Sequence, residues 1–118
     1  MISTKAHGFL DYLMGTLLIF LPFILDFPDG AATTLPMVFG SGTILYSLIT
    51  EYELSIAKII PIQTHLGIDI TAGLFLIAAP WLFRFADKVF WPFVILGIFE
   101  VVASLMTSKT LNRSHSRK

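Results

Sequence analysis

Two stretches of this chain are near-copies of one another. "HGFLDYLMGTLLIFLPFILDF", from His7, and "HLGIDITAGLFLIAAPWLFRF", from His65, agree at seven of 21 positions when the sequence is shifted by 58. The identities are His7/His65, Asp11/Asp69, Gly15/Gly73, Leu18/Leu76, Ile19/Ile77, Pro22/Pro80 and Phe27/Phe85. Past the next loop the shift becomes 57, and Gly40/Gly97, Ser47/Ser104, Leu48/Leu105 and Thr50/Thr107 coincide. A repeat this long is a supersecondary unit that buries its apolar face against its neighbour. The chain thus reads as a first two-helix repeat over 1–54, a second over 55–108 and a basic tail over 109–118.

The solvent these helices need follows from their polarity. A soluble bundle needs a polar face on every helix, yet residues 13–24 and 72–83 carry almost none. The chain is 55% hydrophobic and 14% charged, with a mean hydropathy of +0.79. Apolar runs between short polar punctuations are the pattern of membrane-spanning helices. The expected fold is all-α and polytopic: four transmembrane helices over about 5–25, 35–50, 62–83 and 89–107, forming two helical hairpins. Each repeat has an even number of spans, so the two hairpins run parallel. Pro36 is expected at the opening of the second helix. The first span resembles a signal sequence only in part, because Asp11 interrupts it and its copy recurs in mid-chain; it is read as retained.

Charge sets the orientation. Lys5, Lys58, Lys109, Arg113, Arg117 and Lys118 fall on one side, and Arg84 and Lys88 on the other. The excess of basic residues places both termini and the central loop in the cytoplasm. Trp81, Trp91, Phe27, Phe85 and Phe90 suit an interfacial belt on the far side, with Tyr12 and Tyr52 at the near one. A net charge of zero gives no reason to expect nucleic acid. The absence of cysteine removes disulfides and thiolate metal sites.

The repeat also says which faces turn inward. At 100° per residue, positions 7, 11, 15, 18 and 22 lie in a stripe about 80° wide, and 65, 69, 73, 76 and 80 repeat it. Gly40, Thr43, Ser47 and Thr50 share one face of the second helix, and Gly97, Glu100, Ser104 and Thr107 one face of the fourth. Polar and small residues confined to one face are what the interior of a lipid-embedded bundle needs. Gly15, Gly73, Gly40 and Gly97 are the expected points of close helix contact, and Pro22 and Pro80 lie in the last turns of the odd spans. The candidate polar core is His7, Asp11, His65, Asp69, Glu100, Thr43, Ser47 and Ser104.

The segments "LPF" (21–23) and "APW" (79–81), followed by "LDFPD" and "FRFAD", resemble the Ser-Pro-Trp signature of the SPW-repeat family of small bacterial membrane proteins. The likeness runs over residues 7–107. Leu21 and Ala79 stand where the signature has Ser, and Phe23 replaces one Trp. The resemblance implies a multi-pass protein of the bacterial inner membrane and brings no activity with it.

An ionisable side chain in a membrane needs a partner, and three chemistries suit this set. In a structural core, each Asp accepts a hydrogen bond from its own His one turn away, or from a neighbouring span. Alternatively, His7, Asp11, His65, Asp69 and Glu100 bind a divalent cation such as zinc, manganese or iron, or pass protons. A haem between His7 and His65 is disfavoured, because those residues lie at the margin of the hydrocarbon zone. The expected function is structural or binding rather than catalytic, with the lipid bilayer as partner and a homo-oligomer as a further expectation.

Overall fold

The computed structural model describes residues 2–50 and 55–107. Glu51, Tyr52, Glu53 and the basic tail lie outside the described residues, and so does the near-side position expected for Tyr52. Among the described residues the fold is all-α, with four helices in sequence: α1 (Thr4–Ile24), α2 (Ala31–Leu48), α3 (Ile62–Leu82) and α4 (Trp91–Leu105). At 1.5 Å per residue, α1 and α3 are about 31 Å long. Both are long and apolar enough to cross a membrane, and α4 is a shorter apolar helix.

Local chemistry fixes the ends. Ser3 caps α1 by accepting the Ala6 N–H at 3.1 Å, which satisfies one of the orphan donors of the first turn. Proline opens the second repeat: Pro61 precedes α3, and Pro92 occupies the first turn of α4, where a missing N–H costs nothing. Pro36 departs from expectation. α2 begins five residues earlier, at Ala31, and Pro36 is buried inside it. The cause is Gly30, whose φ of 97° turns the chain and whose carbonyl accepts from Thr33 and Thr34. Only glycine takes up that conformation freely.

The odd helices end alike. Asp26 (φ 54°) and Arg84 (φ 62°) both adopt the left-handed conformation. The next N–H in each case returns to a proline carbonyl: Phe27 to Pro22 at 2.9 Å and Phe85 to Pro80 at 2.8 Å. This is the 6→1 bond of a Schellman cap, built without glycine. It swings Phe27 and Phe85 into the protein, where Phe85 packs on Phe93 and Phe27 stacks on it with ring centroids 5.6 Å apart. The interfacial belt expected from the sequence is therefore smaller. Trp81, Trp91 and Phe90 are exposed, but Phe27 and Phe85 belong to the core.

α1 packs along α2 and α3 along α4, each pair meeting at glycine. A Cβ on Gly97 would sit 2.6 Å from the Gly73 carbonyl, and one on Gly73 would sit 2.9 Å from that of Gly97. Gly15 and Gly40 face each other in the same way. Such contacts let backbones approach and gain dispersion where lipid supplies no hydrophobic drive. Gly42 and Gly67 are different, because a Cβ there meets nothing within 4 Å. Gly42→Ala and Gly67→Ala are expected to leave the melting temperature in detergent unchanged or slightly raised, since alanine costs less backbone entropy in a helix. A fall of several degrees in a thermal melt would contradict the open space seen at both.

The four helices share one apolar core, which includes Met14, Leu18, Leu21, Ala32, Leu76, Ala79 and the three phenylalanines. Exposed hydroxyls are satisfied locally: Thr16 bonds the Tyr12 carbonyl and Thr71 that of Gly67, each at 2.9 Å. The opposite end of the bundle is polar. There Thr107 pairs with Ile2 and Thr50 with Ile60 in two isolated parallel bridges. Each bridge brings the second residue past an even helix beside the segment leading into an odd one.

Candidate functional site

The polar end holds a closed ring of four side chains. His7 Nε2 donates to Asp69 Oδ2 at 2.7 Å, and His65 Nε2 donates to Asp11 Oδ2 at 2.5 Å. The contacts within each helix are longer: His7 to Asp11 at 3.2 Å and His65 to Asp69 at 3.1 Å. Two nitrogens and two oxygens thus alternate around one cycle. Of the two partners expected for each Asp, its own His or a group on a neighbouring span, the shorter bond is in both cases the one that crosses between hairpins. The i,i+4 spacing brings each imidazole near its own carboxylate, but the facing helix presents the other Asp more directly. The rings meet edge-on, with centroids 5.7 Å apart at 83°.

The outer nitrogens are held as firmly. His7 Nδ1 lies 2.9 Å from Thr107 Oγ1, and His65 Nδ1 lies 2.6 Å from Thr50 Oγ1. Each threonine spends its hydroxyl proton on its own helix, Thr107 on the Ala103 carbonyl and Thr50 on that of Tyr46, both at 2.6 Å. A hydroxyl has one proton to give, so each Oγ1 accepts from Nδ1–H. With an Nε2–H aimed at a carboxylate as well, the arrangement corresponds to two imidazolium cations, each balanced by one aspartate. The four residues are 0–2% exposed. At such burial, paired charges survive only because every partner is in place.

The remaining candidates fall around this ring. Glu100 is buried beside Asp69, with Asp11 also close enough for its charge to be felt. It is not one of the four residues whose ligand atoms converge. Thr43 is buried, and Ser47 and Ser104 are fully buried with hydroxyls that find no hydrogen-bond partner among the described residues. Their contribution is small size where helices meet. Gly15, Gly73, Gly40 and Gly97 form the close contacts above, and Pro22 and Pro80 accept the capping bonds.

Sequence reasoning missed Tyr46, whose hydroxyl donates to Asp69 Oδ1 and whose ring lies 4.7 Å from that of His65. The matching position of the second repeat is Ala103, so a search by repeated identities passes over it. Thr50 and Thr107 did appear among the repeated residues, but nothing in their spacing tied them to imidazole. Asp69 is thus the crowded member of the pair. It meets both histidines, Tyr46 and Glu100, whereas the matching positions for Tyr46 and Glu100 in the other repeat are Ala103 and Thr43.

His7, Asp11, His65 and Asp69 each offer one ligand atom, and all four lie within 4.8 Å of one another. The site is therefore able to act as an ion-pair lock or as a coordination sphere, in either case inside a four-helix bundle with an apolar exterior. The SPW repeat domain matches residues 5–107, and the chain belongs to that family. No curated protein and no solved structure matches it.

Proposed function

We propose that the protein is a four-span component of the bacterial inner membrane in which the His–Asp ring joins two duplicated hairpins. Both termini and the central loop face the cytoplasm. The role is structural or binding rather than catalytic. The ring itself carries this reading: both short His–Asp bonds run from one hairpin to the other, so the ion pairs fix how the hairpins sit together. A broad apolar exterior supports the bilayer as solvent. Phe9, Phe20, Phe23, Leu45, Trp81 and Ile95 are each more than half exposed, which would be costly in water.

The chain has no cysteine, so single cysteines introduced for labelling report without background. Cysteines replacing Asp29 and Asp87 are expected to react with an impermeant maleimide added outside spheroplasts. Cysteines replacing Ser3 and Ser55 are expected to react only after lysis. Labelling of Asp29 and Ser55 from the same side would defeat the four-span arrangement, since the whole of α2 lies between them.

A further inference from the structure

We propose that His7, Asp11, His65 and Asp69 together bind one divalent ion of the zinc class, through both Nε2 atoms and one oxygen of each aspartate. The proposal rests on the ring that joins the hairpins and names its ligand. Two observations carry it. The four donor atoms already converge within 4.8 Å, and they alternate as N, O, N, O around a cycle with edges of 2.5–3.2 Å. Ligand atoms around a tetrahedral zinc lie about 3.4 Å apart, so the two longer edges have to open by a few tenths of an ångström, the two shorter ones by somewhat under 1 Å, and the cycle has to fold across its diagonals.

The outer shell is the second observation. A metal-binding imidazole normally donates its other N–H to a fixed acceptor, which sets the tautomer and aims the ligating nitrogen. Thr107 and Thr50 do this for His7 and His65, and their own protons are tied to helix carbonyls. Asp69 is oriented in the same manner, with Tyr46 on Oδ1 leaving Oδ2 to the ring.

Loading is an exchange that balances: as the ion enters, the two Nε2 protons leave, so one double positive charge replaces two single ones and the buried net charge is unchanged. Two imidazoles and two carboxylates form a borderline donor set, and affinity should rise from manganese through iron to zinc.

The test uses the full chain in detergent with ¹⁵N-labelled histidine. Zinc is titrated and counted by elemental analysis, and the ring nitrogens are followed by NMR. The expected result is one zinc per chain, with Nε2 of His7 and His65 losing its proton while Nδ1 keeps it. His115→Ala should leave that stoichiometry intact. Thr50→Val and Thr107→Val should each weaken zinc binding about 10- to 100-fold. The wild-type spectra decide the matter even if aspartate variants fail to fold. If both nitrogens of both rings keep their protons at saturating zinc, the metal site is wrong and the ion-pair lock stands. If zinc-free protein shows singly protonated rings uncoupled from the aspartates, the ion-pair lock is wrong, and the count of zinc per chain decides the metal site by itself.

Discussion

Asp69→Asn is expected to destabilise the protein by about 3–5 kcal/mol, the range for removing one member of a buried ion pair. Asp69 accepts from His7 and Tyr46 and contacts His65, and its loss leaves a buried imidazolium without its nearer counter-charge. The magnitude separates two pictures, because an ordinary polar contact between membrane helices averages only about 0.6 kcal/mol. Thermal or denaturant unfolding in detergent measures the difference. Double-mutant cycles then test the wiring. His7 and Asp69 should couple more strongly than His7 and Asp11, and His65 and Asp11 more strongly than His65 and Asp69, because the shorter bond crosses the hairpins in both cases. Coupling that is stronger within a helix than between helices would show that the ring is not the link between the two halves.

How far this arrangement was legible depends on the residue. Each inward stripe drawn from repeated identities consists of buried residues: His7, Asp11, Gly15, Leu18 and Pro22 on α1, their mates on α3, and the Gly–Thr–Ser–Thr and Gly–Glu–Ser–Thr faces of the even helices. Repetition carried that information because a duplicated unit must solve the same burial problem twice. It could not say which Asp a given His prefers, since both lie within reach and tertiary geometry decides. Tyr46 was invisible for the opposite reason, having no mate to mark it. Phe27 and Phe85 were marked by the repeat yet misplaced, because aromatic residues at a helix end suggest an interface. Their inward turn depends on Asp26 and Arg84 adopting a left-handed conformation, and neither residue type announces that as glycine does.

Gly97→Ala is expected to cost about 1–3 kcal/mol, the range for overpacking a close contact, and Gly97→Leu to prevent the second hairpin from closing. The new Cβ would lie 2.6 Å from the Gly73 carbonyl. That atom belongs to a helix backbone, so no side-chain rotation relieves the clash and α3 and α4 must separate. Gly40→Ala should act alike against Gly15 in the first hairpin, where the obstacle is again a backbone oxygen. The two alanines within one hairpin should not add. Once Gly97→Ala has pushed the helices apart, Gly73→Ala finds part of its room already made, and the double variant should lose less than the sum. The consequence reaches the polar ring, because Gly73 lies one turn from Asp69 and Gly97 one turn from Glu100. Gly97→Ala should therefore weaken the His7–Asp69 coupling measured in the same cycles, whereas Gly42→Ala, on an open surface of α2, should leave it intact. An unchanged coupling in Gly97→Ala would mean that helix spacing and the ion-pair ring are independent.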